Sequence, residues 1–170
     1  MSESSNRKLY KHDIYNILKE KEMEHEITEH IAVYNMEEAR NLYRPHPMAE
    51  AKNLFLRDNK KKNYYLLTVQ GEKRVDLKEF RHRMGTRPLS FATAEELEKY
   101  MGLTPGSVSP FGLLNDDQRV VKLFLDQDFT MGEGLIGIHP NDNTGTVYLK
   151  TTDLINIIKE HGNELEIVTV

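Results

Sequence analysis

The chain has 170 residues, no cysteine, no tryptophan and a net charge of −4. That length gives one domain with a sizeable core, and the missing cysteine excludes disulfides, thiol nucleophiles and thiolate metal sites while fitting a cytoplasmic protein. No apolar run approaches a membrane span, and the N-terminal MSESSNRKLYKHD lacks the apolar stretch of a secretory signal, so a membrane partner is not expected.

In chain order, residues 12–22 read as a short amphipathic helix, with Ile14, Ile17 and Leu18 at i, i+3 and i+4. Residues 24–28 alternate weakly and predict an edge strand. Asn35 is an N-cap for a helix over 36–43, with Glu37 and Glu38 where the dipole favours acids, and Pro45 and Pro47 end it. Residues 50–56 and 63–70 predict two strands joined by a hairpin loop over 58–62, the second apolar enough to be central. Asp76 opens a helix that turns Leu77 and Phe80 inward. Thr93 and Glu96 form a capping box for a helix over 94–101, which Gly102 terminates. Residues 120–125 and 135–138 are strands by content, and a turn over 141–145 leads to a strand over 146–149. A helix over 152–161 carries Leu154, Ile155, Ile157 and Ile158 and stops at Gly162, and residues 164–170 form a last strand. Such mixed order predicts an α/β fold, a single compact domain over 1–170 with a central mixed sheet flanked by helices.

Charge is segregated. Residues 52–88 hold eleven Lys or Arg against four acids, so the rest of the chain is strongly acidic. A basic face on an acidic protein suits a phosphate backbone, and equally a solvated hairpin and helix surface. Lys60, Lys61 and Lys62 stand at the predicted hairpin tip as tRNA-backbone candidates.

The chain is organised around residues 104–116. Pro105 and Gly106 signal a turn with φ > 0 at the glycine, and Pro110 restricts Ser109 to extended geometry. Gly106, Ser107 and Ser109 are small, so the amides of 106–109 can form a donor nest for an oxyanion, or the stretch is a plain connecting loop. Ser107 and Ser109 lie in no G-x-S-x-G pattern and read as walls and hydrogen-bond partners rather than nucleophiles. Asp116 has no independent support as a base, and no histidine spacing brings metal ligands together.

Gly106 to Pro110 resembles the G-x-x-x-P loop of the aminoacyl-tRNA deacylases related to the prolyl-tRNA synthetase editing domain, the YbaK-like family. The string PGSVSPFGLLND, with AKNLFL at 51–56 and His139-Pro140-Asn141, is similar to the free-standing branch that acts on alanyl-tRNA(Pro). The resemblance covers roughly residues 8–168. It implies hydrolysis of the aminoacyl ester of mischarged tRNA(Pro), most of all Ala-tRNA(Pro), without cofactor or metal, with prolyl-tRNA synthetase as a further partner. Lys52, Gly106 and His139 would be catalytic, and Asn53, Ser107, Val108, Ser109, Pro110 and Phe111 would bind substrate. A regular strand sends Lys52 and Asn53 to opposite faces, which sets a limit on a shared role. Esters of Cys, Ser or Thr, and a non-catalytic tRNA-binding module of the same fold, remain alternatives.

Overall fold

The computed structural model describes residues 8–30 and 43–170. Two sheets share one core. The larger is mixed, in the order β4 (Leu89–Phe91), β2 (Ala51–Asp58), β3 (Tyr64–Gln70), β5 (Val121–Asp126) and β8 (Leu165–Val168). Strand β2 runs antiparallel to β3 and β4, whereas β3–β5 and β5–β8 are parallel. The smaller sheet is antiparallel, β1 (His25–Glu29), β7 (Gly145–Lys150) and β6 (Leu135–Ile138). A single bridge between Glu50 and Gly137 joins the two.

Strand alternation decides which residues meet. Phe55, Tyr64, Leu66, Leu123 and Leu125 face the main core, together with Ile136 and Ile138 of β6 and Val147 and Leu149 of β7. Helix α1 (Lys11–Glu20) adds Ile14 and Leu18, helix α3 (Ala94–Met101) adds Leu97 and Met101, and helix α4 (Thr151–His161) adds Leu154, Ile157 and Ile158. The opposite face of the large sheet presents Leu56, Leu67, Val69 and Phe124, covered by Phe80 of helix α2 (Leu77–Met84).

The local signals explain the helix ends. Asp76 accepts from the amides of Lys78 and Glu79, Thr93 and Glu96 close the expected capping box, and Gly85, Gly102 and Gly162 end helices in the left-handed region. The predicted central strand, β3, does lie between β2 and β5, and β1 is an edge strand.

Two features differ from expectation. The expected mixed sheet is present, but three strands form a second sheet beside it, a partition that strand content alone does not encode. Strand β4 was not anticipated, because three residues after Pro88 show no period; they form by pairing with β2, Leu56 opposite Phe91. The helix expected over 36–43 falls, apart from Tyr43, outside the described residues. No helix among the described residues is long and apolar enough to cross a membrane.

Candidate active site

The glycine–proline loop is built from two short 3-10 turns. Pro105–Ser107 forms the first and Pro110–Asn115 the second, each opened by a proline whose missing N–H costs nothing at that position. In the first turn the Ser107 amide donates to the Thr104 carbonyl at 2.9 Å, and the Ser107 hydroxyl donates to the same oxygen at 3.1 Å. Between the turns, Val108 and Ser109 are extended, as the residue before a proline must be.

This geometry corrects the expected nest. Gly106 is absent from the glycines with positive φ, which among the described residues are Gly85, Gly102, Gly132, Gly134 and Gly162. The left-handed residue of an αR–αL nest is therefore missing at Gly106, where a 3-10 turn runs into extended backbone. The Ser107 amide is also already bonded. Of the other amides of 106–109, the Gly106 donor is left on the exposed turn and those of Val108 and Ser109 on the extended stretch.

That stretch is anchored on both sides. Asn53 Nδ2 donates to the Val108 carbonyl at 3.3 Å, and Asn53 Oδ1 accepts from the Thr68 hydroxyl at 2.6 Å. Ser109 Oγ donates to the His139 carbonyl at 2.5 Å and accepts from the Phe111 amide at 3.2 Å. Because the peptide is planar and trans, a Val108 carbonyl turned toward β2 turns the Ser109 N–H the other way. A small set of side chains thus fixes the direction of one backbone donor.

Lys52 takes the other face. It pairs with Val69 while Asn53 pairs with Thr68, so no bulge intervenes and the two side chains diverge. The Lys52 ammonium donates to the Lys73 carbonyl. The structure therefore brings Asn53, Val108, Ser109 and His139 together, and holds Lys52 near the strand end on the far side of the sheet.

His139 follows β6. Its Nδ1 lies 3.0 Å from the Gly145 carbonyl, which makes Nδ1 the protonated nitrogen and leaves Nε2 as an acceptor. Burial pushes the imidazole below its ordinary value; the Gly145 bond opposes this, and the neighbouring His30 adds to it. His139 is therefore neutral near pH 7. His30 itself lies 3.2 Å from the Thr146 hydroxyl. Sequence reasoning passed over His30, since only the pairing of β1 with β7 carries it to His139.

Phe111, expected at the substrate, is fully buried in the main core, and Pro110 is buried as well. The apolar residue after the loop anchors it instead of stacking on a ligand. Asn141, expected in a turn, also holds the loop. At φ 60° it sends Nδ2 to the carbonyls of Leu9, at 2.9 Å, and Phe111, at 3.4 Å, bracing the second turn. Asp116 is consumed by the amides of Val120 and Val121 and by Asn163, which fixes it as structural.

The basic segment is thinner than its composition. Arg57 pairs with Glu96, Lys73 with Asp126 and Asp128, and Arg83 with Glu79. Lys60, Lys61 and Lys62 remain exposed on a hairpin tip that Asp58 organises by accepting from the Lys60 and Lys62 amides and from Asn63.

The loop is thus held on one side by Asn53 and on the other by the Ser109 bond to the backbone of the neutral His139. Residues 30–157 match the aminoacyl-tRNA editing domain. The chain is 38% identical over 151 residues to the prolyl-tRNA editing protein ProX of Acetoanaerobium sticklandii, covering 89% of this chain and 92% of that one. It is 32% identical over 142 residues to prolyl-tRNA synthetase associated domain-containing protein 1 of Mus musculus, covering 82% and 83%. A crystal structure described as a candidate trans-editing enzyme for prolyl tRNA synthetase superposes with a TM-score of 0.68 at 21% identity, over 100% of this chain and 99% of that one. The chain belongs to the aminoacyl-tRNA editing domain family and is an aminoacyl-tRNA deacylase.

Proposed function

We propose that this chain acts in trans on mischarged tRNA(Pro), hydrolysing the ester of Ala-tRNA(Pro) in preference to others. The relatives named for prolyl-tRNA editing support the tRNA, and the strings AKNLFL and PGSVSPFGLLND support alanine. The observation that carries the chemistry is the anchoring of residues 108–109 by Asn53 and by the Ser109 bond to His139.

In this reading the Ser109 amide meets the oxygen that becomes negative as water adds to the ester carbonyl. One aimed donor of this kind is worth on the order of 10²–10³ in rate. His139 Nε2 accepts a hydrogen bond from the terminal ribose or from water, and a ribose hydroxyl of the substrate assists the attack. Ser107 and Val108 wall the aminoacyl group. Lys52, at the strand end where β4 does not flank β2, contributes a positive charge toward a phosphate once its side chain leaves the Lys73 carbonyl and turns round the sheet edge. Prolyl-tRNA synthetase would deliver the substrate.

Turnover with purified Ala-, Cys-, Ser-, Thr- and Pro-tRNA(Pro), with and without the synthetase, tests this. Fastest release of alanine is expected. Faster release of another amino acid would reassign the specificity, and binding without release of any would make the chain a tRNA-binding module.

A further inference from the structure

A cavity of about 630 Å³ opens on the same face of the large sheet as the loop. Its walls include Pro45, His46, Met48, Met131 and Leu135, with Gln70 among them. Met48 and Met131 are 65% and 59% exposed, an unusual outlay of apolar surface for two residues that flank one cavity. Gln70 is 7% exposed, its Oε1 accepts from the Glu72 amide, and its Nε2 has no hydrogen-bond partner. An unpaired buried amide is costly unless a ligand or water completes it.

The position is informative. Gln70 has the same parity on β3 as Thr68, the residue that holds Asn53, and lies about 7 Å from it along the strand. Leu135 begins β6 and His139 follows its other end, about 14 Å on. One nucleoside bridges such a gap when its sugar lies at the loop and its base in the cavity. The charges favour a neutral group over a phosphate: Asp128 is paired with Lys73 at 2.8 Å, and His46 is held 3.0 Å from Glu26. Phe111 is buried and cannot supply a stacking surface.

We propose that this cavity seats the terminal adenine of the tRNA acceptor end and that Gln70 reads it. The inference rests on the deacylase reading of the loop. A glutamine amide meets adenine in a two-bond match, Nε2 donating to N7 and Oε1, with its second lone pair, accepting from N6. Met48 and Met131 cover the faces of the base, and the His46 ring, fixed by Glu26 and edge-on to Tyr148, closes one side.

The test is a titration of the full chain, carrying ¹³C-methyl methionine, with the trinucleotides CCA, CCU and CCA bearing 7-deaza-adenine. The Met48 and Met131 methyl signals should shift saturably with CCA and not with CCU. Gln70→Leu, which removes both bonds, should weaken CCA binding at least about tenfold, and 7-deaza-adenine, which removes the N7 bond alone, should weaken wild type by a smaller factor and leave Gln70→Leu unaffected. Should Gln70→Leu fold poorly, Met131→Ala, altering an exposed side chain, should weaken CCA several-fold. Equal shifts with CCU, unmoved methyl signals, or effects of mutation and analogue that multiply would overturn the assignment. Turnover of Ala-tRNA(Pro), measured separately, distinguishes this failure from failure of the deacylase reading.

Discussion

Asn53 Nδ2 donates to the Val108 carbonyl at 3.3 Å, and this bond ties the large sheet to the extended part of the glycine–proline loop. Asn53 is itself oriented by Thr68, whose hydroxyl is buried and donates to Oδ1 at 2.6 Å. The two residues face each other across β2 and β3, so their order is a consequence of strand register.

Removing that order should harm turnover more than binding. Thr68→Val keeps the shape and deletes the hydroxyl; Asn53→Ala deletes the brace. Each is expected to lower kcat by about 10- to 100-fold, because misaiming an oxyanion donor acts in the transition state. KM should change little, and Thr68→Ser should restore most of the rate. A rise in KM with unchanged kcat would assign the pair to substrate binding.

Gly106 now carries a different expectation. It is exposed and lies in an ordinary 3-10 turn, so Gly106→Ala meets no left-handed strain and should change stability by less than about 0.5 kcal/mol. The added methyl obstructs only a ligand that approaches the turn. A several-fold rise in KM with an unaltered melting temperature is expected; an unaltered KM would move the substrate off this turn.

Much of this fold was legible because its signals are local. The capping box at Thr93 and Glu96, the Asp76 cap and the glycine stops at Gly102 and Gly162 each depend on neighbours within one helical turn. The site was legible in part. The divergence of Lys52 and Asn53 follows from the period of a strand. What Asn53 reaches does not, because Val108 is 55 residues away and β2 and β3 must first be paired. His30 and Thr68 were illegible for the same reason: neither has a distinctive neighbour, and each acquires its partner through long-range pairing. The conformation at Gly106 was not legible because Pro-Gly favours more than one turn, and here Thr104 and Ser107 close the tighter one.

Lys52 separates family resemblance from geometry. Its ammonium sits on the Lys73 carbonyl, across the sheet from the loop. Lys52→Ala is expected to leave stability within about 0.5 kcal/mol, since one partly exposed bond is lost, and to lower kcat/KM by about 100-fold if the charge serves the reaction as proposed. Equal loss of folding and activity would assign Lys52 to holding the segment after β3.

The hairpin tip tests the tRNA footprint. Changing Lys60, Lys61 and Lys62 together to Ala should weaken charged and uncharged tRNA alike and reduce the slope of log affinity against log salt by about two to three. Stability should hold, because Asp58 organises the tip through backbone amides that alanine retains. An unchanged salt slope would remove the tip from the interface.

His139 gives the pH dependence. Burial, aided by His30, holds its folded value below the ordinary one of about 6.5, despite Asp142, Glu50 and the Gly145 bond. The unfolded chain therefore binds the proton first as pH falls. Above about pH 6.5 neither state is protonated there and stability is unaffected; below it, stability declines by up to about 1.4 kcal/mol per pH unit until the folded value is reached. His139→Gln cannot titrate, so its stability should fall less than that of wild type between pH 7 and 5, whatever the other histidines contribute. Activity should follow the same group: wild-type kcat/KM is expected to be level from pH 7 to 9 and to drop in acid as Nε2 loses its lone pair to a proton. Chemical denaturation of both proteins across that range is the measurement, and superimposable curves would show that His139 is not the group held neutral.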